Sequence, residues 1–207
     1  MVMDEHVIVF HSALGMRPAV GRFAARLRGG GHTVHTPDVY DGQVFDDVAA
    51  GAAARDAIGV LELIKRAQAA VEDLPPGLVY VGFSMGTGAA ELLAGTRPGA
   101  RAAILMHGAL APADIGLRAW PHVPIQVHYA KDDPDVNVDQ ILALEASARA
   151  ASVPVEVHVY DRVGHLFEDP GLPGHDPELA ELMTERVLSF LDGLPSAHSA
   201  GRPPGRT

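Results

Sequence analysis

Six short apolar runs rich in Val and Ile, separated by longer Ala- and Leu-rich segments, limit this chain's fold more than any other feature. They are HVIVFH (6–11), HTVHTPDV (32–39), GLVYVGF (77–83), AAILMHGA (102–109), PIQVHYA (124–130) and VEVHVYD (155–161). Near-continuous hydrophobicity suits strands covered on both faces, and strands alternating with helices make βα units around a mostly parallel sheet. Helices are expected near 18–28, 53–72, 85–95, 139–151 and 177–192. The last has Asp176 as N-cap, Pro177 in its first turn and Gly193 just past its end. Its Leu179, Leu182, Met183, Val187 and Phe190 recur at helical spacing and form a packing face. The expected class is α/β, a mostly parallel sheet with helices on both faces.

A chain of 207 residues is long enough for one domain with a single core, expected over 1–193. Residues 194–207, LPSAHSAGRPPGRT, are small, polar and rich in Pro and Gly, and are expected to form a disordered tail. A net charge of −10 argues against a nucleic-acid groove or a polybasic membrane surface. With no cysteine, disulfides and thiolate metal sites are excluded. The N-terminal apolar run is too short for a signal sequence or a membrane span, so a cytoplasmic location is the expectation. No residue argues for an oligomer.

Ligands of open parallel sheets bind beyond the carboxyl ends of the strands. Just after the third run, Gly82-Phe83-Ser84-Met85-Gly86 matches G-x-S-x-G, a strand–turn–helix elbow that displays a nucleophile. Such a turn is strained, and flanking Cβ atoms would clash, which explains the glycines. Gly88 is expected to let the helix approach the sheet closely. The helix start also places the Met85 N–H where an oxyanion would form.

A serine hydroxyl needs a base, and the chain order on an elbow fold is Ser, then Asp or Glu, then His. AKDDPD follows the fifth strand and DRVGHLF the sixth, on the same sheet edge as Ser84. His165 is the base of choice and Asp133 the acid that orients it, with Asp132 and Asp135 as competitors. The second oxyanion donor is expected from Ser12 or Ala13, in the loop after the first strand. His11 and His107 end strands at the site edge and, with Tyr40 and Phe83, are candidate pocket residues. His6, His35, His128 and His158 fall within strands, where they are expected to satisfy local hydrogen bonds.

With these residues in view, the sequence resembles the dienelactone hydrolase family, small members of the α/β-hydrolase superfamily, from about residue 6 to 192. The likeness is carried by VIVFHSALGMRPAVGRFAARLRGGGHTVHTPDVYDG, VYVGFSMGTGAA, PIQVHYAKDDPDV and YDRVGHLFED. It implies an α/β-hydrolase fold and the same Ser84, Asp133 and His165, with Met85 and the Ser12–Ala13 stretch as oxyanion donors. The short connection between the fourth and fifth strands leaves no room for a large lid domain. The namesake enzymes carry a cysteine at the elbow and a glutamate in the first loop, where this chain has Ser84 and Ser12. Both changes fit a conventional serine triad, and with them the resemblance no longer specifies dienelactone itself as the substrate. Arg17 and Arg162 could meet a substrate carboxylate, but the expectation is that both are surface residues.

The expected function is hydrolysis of a small carboxylic ester or lactone through an acyl-enzyme, without metal or organic cofactor. The alternatives are a catalytically silent binding protein on the same fold, or a thioesterase or acyl transferase using the same triad. The partner is a small molecule, with no nucleic acid and no membrane.

Overall fold

The structure, a computed structural model, describes residues 4–161 and 164–195. Its strands are β1 (His6–Phe10), β2 (Thr33–His35), β3 (Leu78–Phe83), β4 (Ala102–Met106), β5 (Ile125–Ala130) and β6 (Val155–Tyr160). They form one sheet in the order β2-β1-β3-β4-β5-β6, with every pairing parallel. Parallel neighbours need crossovers, and these contain α1 (Pro18–Gly29), α2 (Val48–Ile58), α3 (Val60–Ala69), α4 (Gly86–Thr96) and α5 (Val138–Ala150). The β4–β5 crossover has only a short 3-10 turn at Pro112–Ile115, and α6 (Pro177–Asp192) follows β6.

Strand residues point alternately to the two faces, and the helices are sorted accordingly. Val79, Val81 and Phe83 of β3 join Phe23 and Leu27 of α1 and Val187 and Leu191 of α6 in one core. Leu78 and Tyr80 pack on the other side with Ala67 of α3, Leu93 of α4 and Leu144 of α5. The α/β class with helices on both faces is therefore observed. The chain runs outward from β1 to β2 and then returns to β3, so the order reverses between β1 and β3. Crossovers at such a point leave on opposite faces and open a crevice at the strand ends.

Several boundaries differ from the sequence reading. Strand β2 stops at His35, because Pro37 has no N–H to give to a ladder. The helix expected over 53–72 is two helices, broken at Gly59 with φ 88°. Strand β4 ends at Met106, since His107 turns out of the sheet at φ 60°. Asp176 caps α6 by accepting from the amides of Glu178 and Leu179, each at 3.1 Å. Leu194, assigned to the tail, is instead buried in the α1/α6 core; the rest of that segment from 196 lies outside the described residues.

Candidate active site

Ser84 stands at the reversal of strand order, between the end of β3 and the first turn of α4. Its φ is 48°, a conformation that β-carbon sterics disfavour. Its N–H donates to Met106 O at 2.7 Å and holds the turn against β4. A Cβ on Gly82 would lie 2.4 Å from the Gly86 carbonyl, and one on Gly86 2.5 Å from Phe10 O, so the elbow closes only without side chains there. Gly88 has no such role: a Cβ there would meet Leu110 Cδ1 at 3.4 Å, an ordinary neighbour.

Three side chains from separate loops meet here. His165 Nε2 lies 2.7 Å from Ser84 Oγ, and His165 Nδ1 lies 2.8 Å from Asp133 Oδ2. An ionised carboxylate only accepts, so Nδ1 carries the proton and Nε2 is left to accept from the serine O–H. Asp133 is buried, whereas Asp132 and Asp135 are exposed. Burial works against the Asp133 charge, but the His107 and His165 imidazoles and the Asp135 amide hold its carboxyl well below the usual carboxylate range.

His107 and Glu168 form a further layer behind this series. His107 is buried, with Nε2 2.7 Å from Glu168 Oε2, Nδ1 3.8 Å from Asp133 Oδ2, and its ring edge-on to His165. Burial opposes its charge, yet Glu168 and Asp133 outweigh burial and push its pKa up to about 9. The sequence reading missed Glu168, although its place in GHLFED, three positions beyond His165, was a signal. Three of the described non-glycine residues with positive φ are Ser84, His107 (60°) and Leu166 (55°), so backbone strain concentrates at this site.

The amides of Met85 and Ala13 donate no hydrogen bond to another described residue. Ser12 is occupied within its own loop: its Oγ accepts from Leu14 N–H at 3.2 Å and its carbonyl from His11 Nδ1–H at 2.7 Å. His11 Nε2 accepts in turn from Val39 N–H at 3.1 Å, and burial pushes the pKa of this satisfied imidazole down.

A cavity of about 380 Å³ opens beside Ser84 and Met85 and runs beneath α3. Of the candidate pocket residues, only His11 lines it. Phe83 points into the opposite core and packs edge-on against Phe23 at 5.2 Å, because alternation along β3 sends it there. Tyr40 is buried behind the cavity, its OH bonded to Gly51 O, and His107 sits under the Asp133–His165 pair.

Arg17 is not a surface residue. It is buried and paired with Asp169, and also donates to Phe45 O at 2.8 Å and Asp46 Oδ1 at 3.0 Å. Arg162 lies outside the described residues. His128 is satisfied, at 2.8 Å from Tyr160 OH and 2.9 Å from Gln126 Oε1, but His6 Nδ1 and His35 Nε2 find no partner among the described residues. Their rings stack on each other at 6.2 Å instead. One atom each of His107, Asp133 and His165 lie within 4.8 Å of one another, the spacing a cation could bridge. The Asp133–His165 hydrogen bond already uses that geometry, and a cation would have to displace it.

The dienelactone hydrolase family model matches residues 3–194. The chain belongs to the dienelactone hydrolase family. This is a family of hydrolases of the ester- and lactone-cleaving kind. Among curated proteins, a carboxymethylenebutenolidase of Rhodococcus opacus is 29% identical over 177 residues, covering 79% of this chain and 70% of that protein. Among solved structures, the dienelactone hydrolase-like promiscuous phosphotriesterase P91 from metagenomic libraries superposes with a TM-score of 0.78 at 24% identity, covering 94% and 88% of the two chains. Esterase 2 of Thermogutta terrifontis, phosphonylated by cyclosarin, does so with 0.62 at 18% identity, covering 99% and 86%. These likenesses place the dienelactone hydrolase member described here on the α/β-hydrolase fold.

Proposed function

We propose that this dienelactone hydrolase family member is a serine hydrolase that cleaves a small carboxylic ester or lactone through an acyl-enzyme. The observation that carries the reading is the unbroken series Ser84 Oγ, His165 Nε2, His165 Nδ1, Asp133 Oδ2, with links of 2.7 and 2.8 Å, at a strained elbow. Family membership and the name of the Rhodococcus relative support lactones and esters as the substrate class.

Ser84 Oγ attacks the carbonyl carbon while its proton passes to His165 Nε2. The negative charge gathers on the carbonyl oxygen, where the Met85 and Ala13 amides donate. On collapse the bond to the leaving oxygen breaks, and that oxygen takes the proton from His165. Asp133 stays ionised and stabilises the imidazolium in between. Water then gives a proton to His165 and its oxygen to the acyl carbon, and Ser84 recovers its proton as the acid departs. A lactone alcohol remains tethered to the acyl group through acylation. The reading takes the protein to act on a dissolved small molecule in the cytoplasm; no described helix is long and apolar enough to cross a membrane.

A fluorophosphonate probe and intact mass tests this. One adduct on the wild type that is absent from Ser84→Ala is the expected result. No adduct, under conditions where a known serine hydrolase labels fully, overturns it in favour of an inert binding protein.

A further inference from the structure

We propose that the cavity beside Ser84 is an acyl-chain site, which makes esters of unbranched, uncharged carboxylic acids longer than acetate the preferred substrates; this rests on the serine-hydrolase reading above. The cavity, about 380 Å³, is walled by Phe10, Val39, Leu63, Ile64, Ala67 and Leu110, an apolar lining drawn from β1, the β2–α2 loop, α3 and the β4 loop. Its charged rim residues, Arg55 and Asp56, are hydrogen-bonded to each other at 2.8 Å. His11 on its wall has both ring nitrogens satisfied as a neutral imidazole. Among the described residues lining the cavity Arg55 is the one cation, and it sits on the partly exposed rim paired with Asp56. A charged acyl tail reaching the apolar wall beyond it would therefore be desolvated without a partner.

Which half of the ester enters follows from the position of the base. His165 must reach the leaving oxygen to protonate it, so the alcohol lies on the His165 side of Ser84. No residue from 164 to 172 borders the cavity. The acyl chain is the part that points away from His165, along the start of α4 and under α3. Apolar burial there rewards each added methylene, and a medium-sized cavity of this kind holds most of a small ligand.

The test is a series of p-nitrophenyl esters from acetate through butyrate and hexanoate to octanoate, with the active fraction fixed by fluorophosphonate titration of Ser84. The expected result is a rise in kcat/KM of about three- to fourfold per methylene up to hexanoate. The matched p-nitrophenyl hydrogen adipate should be at least tenfold slower than hexanoate, and lengthening the alcohol of acetate esters should bring no comparable gain. Ala89→Phe, at a half-buried wall position, should lower the hexanoate-to-acetate ratio of kcat/KM about tenfold, and Ile64→Ala should move the optimum to a longer chain. Full labelling of Ser84 with a flat series, with adipate equal to hexanoate, or with no ester turned over, overturns the acyl site and leaves the nucleophile assignment standing. Absence of both labelling and turnover overturns the two together.

Discussion

Asp132, Asp133 and Asp135 share one loop after β5, with identical chemistry at almost the same place in the chain. Asp133 is drawn inward, with one carboxylate oxygen on His165 and the other accepting the Asp135 amide at 3.0 Å, while its two neighbours face water. Asp133→Asn should keep the shape but supply a donor where His165 needs an acceptor, which removes the tautomer that leaves Nε2 free for Ser84. We expect kcat on a p-nitrophenyl ester to fall on the order of 10³–10⁴-fold. Asp132→Asn and Asp135→Asn should stay within about twofold, since exposed carboxylates couple weakly to the site. An equal loss at Asp135 would reverse the assignment. Residue types and strand order narrowed the acid to this loop, but the turn that aims one of three aspartates inward was not legible in the sequence.

At the level of elements, the histidine loop is tied to the start of α1 by a buried ion pair. Arg17 precedes Pro18, Asp169 follows His165 in the chain, and Asp169 also accepts from the Gly171 amide at 2.9 Å. Removing one member of a buried pair leaves the other charge without its ion partner, at a cost of up to about 3–5 kcal/mol. The remaining bonds of Arg17 to Asp46, or of Asp169 to the Gly171 amide, lessen that cost here. Arg17→Ala should therefore lower Tm and also kcat, because the segment that carries His165 loses its anchor. The Arg17→Ala, Asp169→Ala double variant should lose about 1–3 kcal/mol less than the sum of the singles, as read by urea unfolding. Strict additivity would show that the two residues do not act as a pair. In the sequence Arg17 reads as a surface residue, and its partner is a loop aspartate far along the chain. Capping was different: Asp-Pro at the start of α6 announces its own geometry, since the cap depends on amides two and three positions away.

For the molecule as a whole, the buried titratable groups set the pH dependence of stability. His107, with its pKa raised from 6.5 to about 9, contributes stability that is complete below 6.5 and lost as pH rises through 9. Glu91 is buried with Oε2 unpartnered among the described residues, and burial pushes its carboxyl well above 4.5, so its contribution is also lost as pH rises above that value. Asp133 acts in the opposite sense: its carboxyl is held below 3.8, and its contribution disappears as pH falls past that point. Stability to urea should therefore be greatest near pH 3.8–4.5, where the Asp133 contribution is complete and Glu91 is protonated in both states. It should then decline above 4.5 through Glu91, and more steeply from 6.5 toward pH 9 through His107. Glu91→Gln, which keeps the acceptor for Leu110 N–H, and His107→Asn should each flatten the alkaline decline. A decline unchanged in both variants would assign it to other groups. What the sequence determined by itself is whatever short-range physics dictates: the alternating strands and helices, the elbow at Ser84, the cap of α6 and the order Ser, Asp, His along one sheet edge. Tertiary structure alone decided which aspartate turns inward, the His107–Glu168 layer, the burial of Arg17, the exclusion of Phe83 from the cavity and the apolar wall supplied by α3. Those outcomes depend on side-chain directions and on contacts between segments far apart in the chain, which exist only once the crossovers have placed the helices against the sheet.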